Sequence, residues 1–144
     1  MSMMRAELCD VVQRYMALLE AVDADNNRDV AALAAMMTID VRYEIPFLNN
    51  PLVIEGRDYV QAFLEQGQGM FAEISYDITR MLIDEANQVV IVEMLSERII
   101  LPDNYHYANR YVLIFTLRDG LIADFKEYVN PLPAARVSSR LKLD

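Results

Sequence analysis

Apolar residues in the first half of the chain recur every three or four positions. Leu8, Val11, Val12, Tyr15, Leu19 and Val22 share one face of an amphipathic helix over about residues 4–22. Asp23-Ala24-Asp25-Asn26-Asn27 breaks the rhythm and offers caps to a second helix, which holds Val30, Leu33, Ala34 and Met37. The period then shortens to two. Val41, Tyr43, Ile45 and Phe47 alternate with Arg42, Glu44 and Pro46, which predicts a short strand. Asn49-Asn50-Pro51 reads as a loop. A third helix starts after Gly56, buries Tyr59, Val60, Phe63 and Leu64, and ends at Gly67 and Gly69.

The second half reads as strands over 71–83, 88–101, 105–117 and 121–130, the first of them bent near Asp77. Asp84-Glu85-Ala86-Asn87, Pro102-Asp103-Asn104 and Arg118-Asp119-Gly120 are the turns, and Asp-Gly is a strong hairpin signal. Pro131 and Pro133 stop the last strand, leaving a basic tail over 134–144 that carries Arg136, Arg140 and Lys142. Helices followed by strands predict an α+β domain over 1–133, its curved antiparallel sheet wrapped around three N-terminal helices as a cone. The central strands are apolar on both faces, Val90 and Val92 on one and Val89 and Ile91 on the other. A second copy of the sheet is the simplest cover, so a homodimer through the sheet is expected. The alternative is that β-branched residues are there only because they suit strands.

Composition removes most function classes. The 144 residues suffice for one core, and 54% apolar with 24% charged residues argues against disorder. Twenty-two acidic against 13 basic side chains give a net charge of -9, which disfavours nucleic acid and favours an uncharged or cationic ligand over a polyanionic one. No apolar run approaches the ~20 residues of a membrane span, and Met1-Ser2-Met3-Met4-Arg5 lacks a hydrophobic signal region, so the expected setting is cytoplasmic. Cys9 is the only cysteine and His106 the only histidine, so an intrachain disulfide and cysteine or two-histidine metal sites are excluded within one chain. No metal and no cofactor are expected. Catalysis falls to carboxylates, tyrosines, lysine and amides.

Those residues gather on the strands. Tyr105, Tyr107, Asn109, Tyr111, Leu113, Phe115 and Leu117 share one face of the third strand. Buried hydroxyls and amides need partners, which a pocket supplies, although Tyr105 near the strand end could equally pack with a wet hydroxyl. On the last strand Glu127 lies between Phe125 and Val129. Facing inward, it would be a carboxyl in an apolar cavity with a raised pKa. A slip of one residue would put Tyr128 inside instead, and alternation does not choose. Glu93 sits among Ile91 and Leu95 as a second acid/base or a salt-bridge partner, with Arg98 on the opposite face. His106 opposes Tyr107 in parity, and Asp10 beside Cys9 disfavours a thiolate. Gly67-Gln68-Gly69 lacks the third glycine of a dinucleotide site.

Three segments carry a family resemblance: Val53-Ile54-Glu55-Gly56-Arg57-Asp58, then Asn109-Arg110-Tyr111 with Phe115 to Ile122, then Lys126-Glu127-Tyr128-Val129-Asn130-Pro131. With the order of elements, they resemble the nuclear-transport-factor-two-like superfamily. It includes ketosteroid isomerase, limonene-epoxide hydrolase, scytalone dehydratase and the SnoaL-like polyketide cyclases. Over about residues 106–131 the pattern is similar to the phenazine-biosynthesis A/B proteins. The resemblance implies a SnoaL-like cone with Glu127 inward as acid/base. In the reading it supports, Tyr111, Asn109 and Tyr107 position polar substituents, and Glu93 lies close to the site. Tyr15, Tyr43, Tyr59, Phe63, Met70, Phe115 and Phe125 wall the pocket. The implied activity is isomerisation, cyclisation or imine-type condensation of a small, largely apolar cyclic or aromatic molecule. A non-catalytic ligand-binding or dimeric interaction module is the alternative. Phe63 and Gly67 stand where the family carries polar pocket residues, and Asn130 where SnoaL-like cyclases carry an aspartate. The ketosteroid-isomerase pairing of a base with a tyrosine and a neutral aspartic acid is not recognisable.

Overall fold

The structure is a computed structural model that describes residues 2–46 and 50–141. Phe47, Asn49 and Lys142 lie outside the described residues. The chain runs α1 (Arg5–Glu20), α2 (Val30–Ala35), β1 (Met37–Ile45), β2 (Leu52–Glu55), α3 (Arg57–Gln66), β3 (Phe71–Asp84), β4 (Val89–Ile100), β5 (Tyr105–Arg118), β6 (Leu121–Val129) and α4 (Pro131–Leu141). Six strands form one sheet in the order β2-β1-β6-β5-β4-β3. The α+β class and the curved sheet agree with the sequence reading. One junction differs, because β1 pairs with β6 in parallel and makes the sheet mixed.

The apolar periodicity of α1 becomes its buried stripe, with Leu8, Val11, Val12, Tyr15, Met16 and Leu19 all inside. That stripe packs on the concave sheet face, where Val90, Val92, Leu113, Phe115 and Ile122 are fully or almost fully buried. Helix α2 is shorter than its periodicity suggested. Asp29 caps it through the Ala32 N–H, and the chain leaves it at Met36 to enter β1, whose Thr38, Ile39 and Val41 favour a strand. The sheet curves because its long strands carry register shifts, in β3 between Ile78 and Arg80 and in the β5–β6 pair between Thr116 and Leu117. The first is the bend anticipated near Asp77. Asp119 and Gly120, at φ of 53° and 81°, make the tight β5–β6 hairpin that Asp-Gly promised.

The C-terminal tail is corrected. Residues 131–141 form α4, so the expected boundary at 133 falls inside a helix. Pro131 and Pro133 end a strand, but they also suit a first helical turn, where the missing N–H costs nothing. The Asn130 side chain accepts the Leu132 N–H, and Ala134 and Val137, three apart, are buried. Among the described residues no helix is long and apolar enough to cross a membrane.

Candidate functional site

Between the concave sheet face and helices α1, α3 and α4 lies a cavity of about 300 Å³. Alternation along β4, β5 and β6 decides which side chains face it. Arg98 pairs in register with Tyr107, Met94 with Tyr111, and Leu113 with Glu127. The parity of β6 therefore places Glu127 inward and leaves Tyr128 on the convex side, 42% exposed.

One wall is aromatic. Tyr43 stacks on Phe125 with centroids 5.0 Å apart, Phe63 lies 5.8 Å from Tyr43, and Tyr15 lies 6.0 Å from Phe125. Phe115 is fully buried behind this wall, 4.8 Å from Phe125 and 5.7 Å from Tyr15. It holds the lining rings without touching the cavity. Met70, Leu19, Ile45, Leu64, Ala134 and Val137 add to the apolar lining.

The other wall is polar. Asn109 Nδ2 donates to Tyr107 Oη at 2.8 Å and to the Asn130 carbonyl at 3.0 Å. Its Oδ1 accepts the backbone N–H groups of Arg110 and Asn130. Asn109 thus sits behind the wall, locks the Tyr107 ring and ties β5 to the start of α4. Tyr111 Oη donates to Tyr107 Oη at 3.3 Å. The Tyr107 oxygen therefore accepts two hydrogen bonds. Its own O–H has no acceptor among the described residues and remains available to a ligand. Burial pushes the Tyr111 and Tyr43 hydroxyls well above the ordinary tyrosine range, and Tyr15 likewise, so all three stay protonated.

Glu127 lines the cavity with no hydrogen bond or ion pair to any described residue. Burial raises its pKa above the ordinary carboxylate value, against opposing pulls from Arg98 and Arg28. Arg98 lies over Phe71, Tyr76 and Tyr111 at 5.2, 5.7 and 5.6 Å. It donates to Tyr76 Oη at 3.2 Å and to Ser96 Oγ at 3.4 Å. Burial pulls Arg98 down, but Tyr76, Tyr111 and Glu127 more than offset it and leave it above its ordinary value. Arg28, from the α1–α2 connection, lies over the same Phe71 ring at 5.6 Å, and burial lowers its pKa.

Of the expected site residues, Glu127, Tyr107, Tyr111, Tyr15, Tyr43, Phe63, Met70 and Phe125 line the cavity together. Asn109 and Phe115 support it from behind. Tyr59 and Glu93 are corrected. Tyr59 is 72% exposed on the first turn of α3, and Glu93 is on the convex face, where it pairs with Arg80. His106 lies on that convex face too, 3.8 Å from Glu97. The sequence reading missed Arg98, Arg28 and Tyr76 as lining residues. For Arg98 a signal existed, since it shares parity with Met94, Ser96 and Ile100, all buried. Among the described residues no cluster of three potential metal ligands occurs.

A family model for the SnoaL-like domain matches residues 12–125. No curated protein matches the chain by sequence. A phenazine biosynthesis-related protein from Pseudomonas aeruginosa is similar in structure, with a TM-score of 0.74 and 20% identity over 94% of this chain and 82% of that one. A pinacolase from Penicillium brevicompactum gives a TM-score of 0.76 at 15% identity, over 97% of this chain and 94% of that one. An NTF2-like protein from Anabaena variabilis gives 0.71 at 19% identity, over 90% and 94%. At such identities these likenesses show the cone fold alone. The family model covers well over half of the residues, and the chain belongs to the SnoaL-like domain family.

Proposed function

We propose that this chain is an acid/base enzyme acting on a small cyclic or aromatic molecule held in the cone. The observation that carries the reading is Glu127, a half-buried carboxyl without a partner among the described residues, opening into an aromatic-walled cavity that the spare Tyr107 hydroxyl also lines. In an isomerisation, Glu127 as carboxylate takes a proton from a carbon next to a ring carbonyl. Tyr107 donates its O–H to the oxygen on which charge develops, and Glu127 returns the proton elsewhere on the ring. A raised pKa serves both halves, because it makes the carboxylate a stronger base and holds the abstracted proton for return. Neighbours include a pinacolase and a phenazine biosynthesis-related protein, which agrees with small-molecule chemistry on this fold.

The test requires no known substrate. Cyclic ketones and enones are incubated with the protein in D₂O, and exchange at the α-carbon is followed by NMR. The reading expects accelerated exchange on at least one of them and its loss in Glu127→Gln. Exchange at the wild-type rate in that variant refutes the assignment. Ligand binding without exchange on any ring compound supports the non-catalytic alternative.

The assembly proposed with this reading is a homodimer through the convex sheet face. Its support is a band of Leu82, Leu95, Val112 and Tyr128, each roughly 40% exposed. Light scattering on Leu95→Glu combined with Val112→Glu should show a monomer where the parent protein shows a dimer. A monomeric parent refutes it.

A further inference from the structure

The cavity holds more positive charge than its neighbours inside the protein balance. Arg28 and Arg98 both line it, and Glu127 is the only carboxylate there among the described residues. Neither arginine has an ion-pair partner within 4.0 Å among those residues. Arg98 donates through Nε and Nη2, to Ser96 and Tyr76, while the Arg28 side chain makes no hydrogen bond to a described residue. A guanidinium has five N–H donors and stays charged in proteins. Two half-buried guanidiniums over one phenyl ring therefore present a set of unspent donors to the cavity. The local charge is positive whether or not Glu127 is ionised. Leaving such charges desolvated and unpaired is costly unless something that enters the cavity balances them.

We propose that the ring compound bound here carries a carboxylate, which docks on Arg98 and Arg28 while its ring lies against Tyr43, Phe63 and Phe125. This deepens the acid/base reading of the same cavity and rests on it only for the choice of site. A planar carboxylate matches the guanidinium fork in a two-bond contact. The ring end has the stacked aromatic wall, and about 300 Å³ is the small end of ligand pockets, enough for a compact ring acid. The chain's overall charge of -9 points the other way, but it lies mostly at the surface, where salt screens it within about 8–10 Å. Inside the cavity the nearest charges decide. Docking the acid at the arginines also leaves Glu127 free to face the ring instead of forming a salt bridge.

The experiment is calorimetric titration at pH 7 with matched pairs: benzoate and benzamide, cyclohex-1-ene-carboxylate and its amide, 2-naphthoate and its amide. Phenylphosphonate is a third arm. The parent protein should bind at least one acid about tenfold or more tightly than its amide, and more tightly than the phosphonate. Arg28→Gln and Arg98→Lys should each weaken that acid about tenfold and leave the amide within twofold. Arg98→Lys keeps the charge that the fold tolerates and removes only the fork. Acids that never outbind their amides, including a panel in which nothing binds, overturn the proposal. So does an acid preference that both arginine variants retain, or a preference for the phosphonate. Glu127→Gln should keep or tighten acid binding while abolishing α-carbon exchange. Loss of the acid preference and loss of the acid/base role are thus read in different measurements.

Discussion

Glu93 on β4 and Glu127 on β6 flank the same strand, β5, and have the same local sequence pattern, a glutamate with apolar residues two positions to either side. They lie on opposite faces of the same sheet. Glu93 points out from β4 and is paired with Arg80, and its surroundings hold further surface pairs, such as Glu97 with His106. Glu127 points in from β6, has no partner among the described residues, and is pushed toward its protonated form by burial. The convex face is assembled by ordinary charge pairing. The concave face holds charges the fold leaves unpaired, which is what a protein does where a ligand must supply the partner.

Activity separates the two glutamates most sharply. Glu127→Gln should lower turnover by about 10²–10⁴, while Glu93→Gln leaves it within about twofold. Equal effects would erase the distinction between the faces. Tyr107→Phe removes the spare hydroxyl and should cost about 10² in kcat with little change in KM. A fall in kcat/KM carried by KM alone would make Tyr107 a binding residue only.

Asn109→Ala tests whether the polar wall needs support from behind. It strips partners from Tyr107 Oη, the Asn130 backbone and the Arg110 N–H. Denaturant unfolding should show a loss of about 2–3 kcal/mol. A change below about 0.5 kcal/mol would mean the wall stands without it.

Stability against pH gives a smaller contrast of opposite sign. Glu127 has a folded pKa above its unfolded one. Its contribution is therefore fully present below the unfolded value and lost as pH rises through the folded value. Glu127→Gln should raise Tm at pH 8 and leave it almost unchanged at pH 3. Glu93→Gln removes a surface pair and should change stability by only about 0–1 kcal/mol. If Glu127→Gln lowers Tm at pH 8, the carboxylate is stabilised in the fold and the account of the cavity is wrong.

The sequence made the element order legible because period-three-to-four and period-two patterns occupy different halves of the chain. It also brought Tyr107, Tyr111 and Glu127 to one cavity, although the inward direction of Glu127 came from family resemblance. Alternation sorts side chains into two sets without naming the inner one. Arg98 was missed for a related reason, since a lone arginine in a strand reads as surface until the buried parity is known. Arg28 lies in a polar connection whose residues look solvated. Tyr59 shares a helix face with Phe63, but periodicity does not tell how far along α3 the cavity extends. The prolines before α4 were read as breakers, though the same rigid φ starts a helix.

The most direct measurement is a carbon NMR titration of the Glu127 side-chain carboxyl. The account predicts that Glu127 titrates clearly above the ordinary glutamate value of about 4.3. A Glu127 that titrates at or below that value would contradict the claim that this carboxyl sits desolvated in the cone without a partner among the described residues.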